Sequence, residues 1–318
     1  LASRAREELS TAVAERLFHA TGGNPLALVE IPPLLSSEQR AGIEELDEPI
    51  PTSASVEASF ASRITRLSRD AQSALLVAAA SDSEDVGTVL GALEELALPG
   101  AALEEAELAG LISIGGDQLR FHHPLLRACA YHGAAAPARR AAHRALAAAL
   151  GSGVSEEGSD RSAWHLAAAT LGPDDHVATL LEQAGDHARR RQGYAAAASA
   201  FERAAQLSSD RGDRAKRLLS AADASLLANR ASRAVSLLEA ADADADERDL
   251  QVEIRHLRGR IDTWRGRADD AVQLLVEEAE GLEGTAPGKA VALLTEAASA
   301  AIVGPGVDVA ARLAERAY

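Results

Sequence analysis

Apolar residues recur every three or four positions over most of the chain, the period of an amphipathic helix. In residues 6–20, REELSTAVAERLFHA, Leu9, Val13, Leu17 and Ala20 fall on one face and predict such a helix. The stretch TGGNPLALVE breaks the pattern. Two glycines permit positive φ and a proline suits the first position of a helix. Gly22, Gly23, Asn24 and Pro25 therefore predict a helix stop, a tight turn and a new helix running to about Glu30. Residues 31–59 hold Pro32, Pro33, Pro49 and Pro51 and an acidic run at Glu44, Glu45, Asp47 and Glu48, which predicts a connector with a helical turn after Ser36–Ser37. Further on, periodicity predicts helices at 55–66, 68–80, 85–97 and 101–109. In GLISIGGDQLRFHH an apolar run is followed by alternation, with Leu119 and Phe121 between polar residues. That predicts a β-hairpin turning at Gly115, Gly116 and Asp117, and helices resume at 124–132 and 137–150.

Helices followed by one hairpin are the order of a winged helix domain, expected here over 54–150. Its candidate recognition helix, 101–109, carries Glu104, Glu105 and Glu107 and no basic residue, so it is not expected to enter a DNA groove. After a polar loop at 151–160 the chain repeats itself. Ala197, Ala234, Ala271 and Val309 are spaced by 37, 37 and 38 residues. Four positions later stand Phe201, Leu238, Leu275 and Leu313, and twelve positions before stand Gly185, Ala222, Gly259 and Ala297. A small residue where helices cross and a large apolar one a turn later suit stacked antiparallel helix pairs. The fold class is thus mainly α: a helical region and linker at 1–53, the winged helix at 54–150, and a tetratricopeptide-like α-solenoid at 151–318, whose first pair is expected around AWHLAAATLG and 174–184.

Composition narrows the chemistry. The 318 residues begin at Leu1 and contain no Met, so the chain is expected to be a piece of a longer protein. A net charge of −16 argues against a nucleic-acid-binding role for the segment as a whole. One cysteine, Cys129, in the apolar run LLRACAY, excludes an intrachain disulfide framework and is expected to be buried in a cytoplasmic protein. No stretch is long and apolar enough for a membrane span, and LASRAREELS is not a signal peptide.

ATGGNPLALVE, then a winged helix ending in LRFHHPLLRACAY, then a helical repeat array resemble, over essentially the whole chain, the signal-transducing NTPases with numerous domains. The similarity is greatest to the large ATP-binding LuxR-type transcriptional regulators of actinobacteria. In that class the order is NTPase domain, winged helix, tetratricopeptide-like sensor and C-terminal helix-turn-helix. The resemblance implies that Gly23, Asn24 and Pro25 match the Gly-x-Pro motif whose proline lies by the adenine of bound nucleotide. It implies that His123 takes the place of the winged-helix histidine that touches the β-phosphate of ADP, with Pro124 where the family motif has Asp. ATP or ADP would be the cofactor of the longer protein. This segment has no G-x-x-x-x-G-K-[ST] loop and no visible acidic strand for magnesium, so it is not expected to be an enzyme or to bind nucleotide alone. An effector or partner protein is expected on the repeats, with possible self-association and no direct DNA contact. The alternative is a stand-alone tetratricopeptide-like scaffold with no nucleotide link.

Other constellations are weaker. His132 and His143 have no metal spacing. Ser162, His165 and Asp174 lack a nucleophile elbow, so capping and packing are expected of them. Trp164 and Trp264 are each expected to anchor a helix-pair interface. Arg189, Arg190 and Arg191 suit a helix C-terminus, and ADADADERD reads as a solvated turn.

Overall fold

A computed structural model describes residues 9–44, 46, 49–50, 61–151 and 155–318. Residues 6–8 of the first expected helix, Glu45, Asp47, Glu48 and Pro51 of the connector, and 55–60 of the next expected helix lie outside the described residues. The protein is mainly α-helical, with a two-stranded sheet and an α-solenoid of helix pairs. It forms two compact units, 1–171 and 172–318.

In the first unit, α1 (Thr11–Thr21) starts at Ser10, whose hydroxyl accepts from the Val13 amide. It is followed by α2 (Pro25–Glu30), a 3-10 turn at Pro32–Leu34 and α3 (Ser37–Ala41). Ser36 and Gln39 close a capping box on α3. The buried face of these helices, with Val13, Leu17, Ala27 and Ile31, packs on Leu125 and Cys129. The cysteine is therefore buried, as its apolar setting predicts.

The winged helix follows as α4 (Arg69–Ala80), α5 (Val86–Glu95), α6 (Ala102–Leu108), β1 (Ile112–Gly115), β2 (Gln118–Phe121), α7 (Pro124–His132) and α8 (Ala136–Gly151). The strands pair antiparallel, Ile112 opposite Phe121 and Gly115 opposite Gln118, so the turn is the two residues Gly116–Asp117, with Gly116 at φ +63°. The segment before α5 adds to the edge: Leu119 N–H donates to the Glu84 carbonyl and Val86 N–H to the Asp117 carbonyl. The acids of α6 have structural partners. Glu105 accepts from the Ser68 amide and hydroxyl at the start of α4, and Glu107 from the Ile114 amide. Helix α9 (Glu156–Ala169), expected to open the repeat stack, packs on α8 and lies in the first unit.

The second unit is four helix pairs: α10 (Asp175–Arg190) with α11 (Tyr194–Leu207), α12 (Arg211–Leu227) with α13 (Ala231–Asp244), α14 (Arg248–Trp264) with α15 (Ala268–Glu280), and α16 (Pro287–Val303) with α17 (Val307–Ala317). The repeat positions meet as their sizes require. A Cβ on Gly185 would sit 2.7 Å from the Phe201 ring, and one on Gly259 2.6 Å from Leu275 Cγ. Ala197, Ala234 and Ala271 are fully buried. The three successive pairs turn through one positive-φ residue, Gln192, Asn229 and Gly266, at 37-residue spacing. Two features differ from expectation. Asp244, inside the stretch read as a solvated turn, is buried and bound by Arg211 and Arg214 at 3.2 and 2.7 Å. Trp264 is 68% exposed and anchors no interface, because it ends α14 beside the turn.

Candidate functional site

The Gly-Gly-Asn-Pro stretch is a helix-to-helix joint whose atoms are almost all accounted for. Gly22 (φ +59°) and Gly23 (φ +72°) terminate α1, with Gly22 N–H donating to the His19 carbonyl and Gly23 N–H to the Phe18 carbonyl. That is the paired C-terminal motif in which left-handed glycine satisfies the last carbonyls. Asn24 then caps α2, its Oδ1 accepting from the Ala27 amide at 3.2 Å, and Pro25 takes the first helical position.

His123 is the N-cap of α7. Its Nδ1 accepts from the Leu125 amide at 3.1 Å, and Pro124 follows at the first helical position. An acceptor Nδ1 places the ring proton on Nε2. The edge carrying Nε2 lies over the first joint: a Cβ on Gly22 would be 3.7 Å from Nε2, 3.8 Å from Cε1 and 4.0 Å from Pro124 Cδ. Residues about a hundred positions apart in sequence are thus face to face, and the contact falls on Gly22, next to the expected Gly23, Asn24 and Pro25. Beside it opens a cleft of about 350 Å3 lined by Arg16, His19, Thr21, Leu125 and Arg127. Arg127 reaches the Ala79 and Ser81 carbonyls at 3.0 and 2.7 Å, which joins α7 to the end of α4.

Another polar centre was not legible in the sequence. Tyr131 OH lies 2.8 Å from His143 Nε2, His143 Nδ1 lies 2.9 Å from His165 Nδ1, and His165 Nε2 lies 3.5 Å from Asp82 Oδ1. Arg161 grips the same Asp82 through Nε and Nη2 and donates to Ser83. Both imidazoles are buried. Burial alone would raise the Asp82 carboxyl, but hydrogen bonds from His165 and Arg161 outweigh it and hold it far below the usual range. Burial, and then the neighbouring His165 and Arg139, push His143 down to about 4. With His143 neutral, Tyr131 O–H can donate to its Nε2 and its Nδ1–H can face His165 Nδ1, while His165 Nε2 faces the Asp82 carboxylate at 3.5 Å. Four separate segments supply these groups, so no local spacing announces them. Among the described residues no group of His, Cys, Asp and Glu is placed to hold a metal. Ser162 donates to the Ala147 carbonyl and Asp174 caps α10, so neither is a catalytic partner.

The repeat unit has a cleft of about 240 Å3 on its first-position helices, lined by Arg189, Leu219, Asp223, Glu253, His256 and Arg260. Arg260 donates to Asp223 at 2.7 Å. His256 lies 3.5 Å from Glu296, and hydrogen bonding to it lowers the Glu296 carboxyl. The surface there is of mixed charge. No helix among the described residues is long and apolar enough to cross a membrane.

Neither a family model nor a curated protein sequence matches the chain. Among solved structures it is similar to the Signal Transduction ATPase with Numerous Domains (STAND) protein with a tetratricopeptide repeat sensor from Pyrococcus horikoshii, at 12% identity and a TM-score of 0.38. The similarity covers 95% of this chain and 49% of that one, so the chain spans about half the length of that protein. A TM-score of 0.38 is too low for the likeness to bear on fold or activity.

Proposed function

We propose that this chain is the coupling and sensor segment of an ATP-dependent transcriptional regulator of the LuxR type. Gly23, Asn24, Pro25 and His123 form its nucleotide-facing edge, and the repeat unit receives an effector or partner protein. The observation that carries the reading is the His123 imidazole edge lying against the Gly22 turn beside an open cleft. A histidine whose Nδ1 is fixed by a helix cap presents its Nε2–H in a set direction, which suits a hydrogen bond to a phosphate oxygen. Such a charge-assisted bond contributes about 1.5–3 kcal/mol. Its presence only in the ADP form would bias a closed state by roughly ten- to a hundredfold. The phosphate loop, the metal ligands and the DNA-reading helix-turn-helix would belong to the rest of the protein, so this segment would neither hydrolyse ATP nor contact DNA. The effector would act by shifting the closed ADP form toward an open ATP form able to self-associate, in the cytoplasm.

One observation favours the scaffold reading instead: Gly22, Asn24 and His123 all have capping roles that need no nucleotide. His123→Asn separates the two, because Asn caps a helix as well as any residue but has no imidazole Nε2. In the full-length protein the regulator reading expects faster ADP release and raised basal transcription at an unchanged melting temperature. An unchanged ADP off-rate in the nucleotide-bound variant removes His123 from the nucleotide-facing edge, and a full-length protein that binds no nucleotide leaves only the scaffold.

A further inference from the structure

From Gln118 to Ser155 the chain has no Asp or Glu, yet it holds five arginines and four histidines in a protein of net charge −16. The fold gathers part of this set around a cleft of about 350 Å3 at the far end of α7 from His123. Tyr131 and His132 line it from α7, Arg139 and Arg140 from α8, and Thr170 from the end of α9. Both arginines are partly buried. Neither has a carboxylate within ion-pair distance among the described residues, whereas the partly buried Arg161 and Arg260 do.

The cleft is also held in shape. The Arg139 guanidinium lies over the Tyr131 ring, 5.4 Å from its centroid. The Tyr131 hydroxyl is fixed by His143, and through His165 and Asp82 to Arg161. His132 Nε2–H donates to the Pro49 carbonyl at 2.8 Å. Two adjacent cations partly withdrawn from water with no carboxylate partner among the described residues are unfavourable, and an anion placed between them relieves that cost. Guanidinium forks match the two or three coplanar or tetrahedral oxygens of carboxylates and phosphates. A concave site of this volume suits a small molecule, since such sites run from about 300 Å3 upward.

We infer that the cleft between Arg139, Arg140 and Tyr131 is an oxyanion site for a small molecule bearing a phosphate or carboxylate group. It is independent of the nucleotide reading, because α7, nine residues from Pro124 to His132, separates its ends by about 13 Å. Isothermal titration of the whole chain with glycerol phosphate and with citrate tests it. The expected result is saturable binding of at least one anion, weakened at least tenfold in Arg139→Gln/Arg140→Gln. Arg312→Gln, at an exposed arginine of the repeat unit, leaves it unchanged. A preference for glycerol phosphate assigns a phosphate ligand, and the reverse assigns a carboxylate. Arg139→Lys keeps the charge and the stem over Tyr131, so it guards against a double variant that fails to fold, and it should weaken binding about threefold. No saturable binding of either anion overturns the site, as does binding that is unaffected in these Arg139 and Arg140 variants. A random-sequence duplex that binds more tightly than either anion, with the same arginine dependence, also overturns it, by making the face a nucleic-acid surface.

Discussion

Acidification is a selective perturbation of the first unit, because its core contains His143 with the ring neutral. In the unfolded chain an imidazole takes up a proton near pH 6.5, whereas the folded chain resists until about 4. Between those values the unfolded state binds more protons, so stability present above pH 6.5 is lost as the pH falls toward 4. The difference of about 2.5 units corresponds to roughly 3 kcal/mol over the full window and to about 2 kcal/mol at pH 5. His143 is only 7% exposed, so solvent screening takes little from that figure. Asp82 acts in the same direction at lower pH: its carboxyl is depressed, so its contribution is present above the ordinary carboxylate value and is lost further into acid. Trp164 stands next to His165 on α9 and reports on this unit once Trp264→Phe removes the other tryptophan. Urea unfolding followed by Trp164 should show the midpoint falling by about 1 M between pH 7 and pH 5, with a slope near 2 kcal/mol/M. In His143→Gln the hydrogen-bonding capacity remains and the titration does not. Its midpoint should lie lower at pH 7 but move far less with pH. A variant midpoint that falls as steeply as the parent's would refute the assignment of the pH dependence to His143.

Further outcomes follow from the repeats and their turns. Gly259→Ala places a Cβ within 2.7 Å of three carbons of the fully buried Leu275. Overpacking costs about 1–3 kcal/mol, offset by about 1 kcal/mol of helix propensity, so urea unfolding followed by Trp264 should show a net loss of up to about 2 kcal/mol. Leu275→Ala should cost less in that background than in the parent, and additivity of the two changes would show that the close approach is relieved elsewhere. Gln192→Gly removes a side chain from a residue at φ +60° and should raise the melting temperature of the repeat unit by a degree or more, at about 0.5–1 kcal/mol. A lowered melting temperature would mean that Gln192 makes a contact outweighing its backbone strain.

The repeat unit was legible because each pair must solve the same packing problem with local residues. Gly185 faces Phe201 and Gly259 faces Leu275 because a bulky side chain at the fourth later position of the second helix fills the space a Cβ would take. That requirement writes a period into the sequence. The hairpin was legible for a similar reason: alternation around Gly116–Asp117 fixes its register. What the period did not reveal is the work done by charge. Asp244 sits in a run of alternating Ala and Asp that reads as solvated, and only the three-dimensional return of α12 brings Arg211 and Arg214 onto it. Nor did it reveal where the pairs begin, since α9 has the apolar face of a repeat helix but packs on α8.

The two polar centres of the first unit differ in the same way. At the joint of α1 and α2 each residue has a local reason to be where it is: left-handed glycines end one helix, and Asn24 and Pro25 begin the next. Such motifs can be read in order along a line, and so can His123 followed by Pro124 at the start of α7. That the two joints face each other is a tertiary fact, with a Cβ at Gly22 only 3.7 Å from the imidazole. The histidine chain has no local reason at all. His143 and His165 occupy positions in alanine-rich helices where alanine would pack with lower desolvation cost; His143 is held by Tyr131 and His165, and His165 faces Asp82 at 3.5 Å. Removing any one member leaves a buried polar group without its partner, so the chain behaves as one unit linking α7, α8, α9 and the loop after α4. Tyr131, at one end, also forms the wall under Arg139, and Asp82, at the other, is held by Arg161. A proton entering this chain therefore changes the footing of the basic cleft. Anion binding at Arg139 and Arg140 and the protonation of His143 should be thermodynamically linked, each altering the other by the same factor.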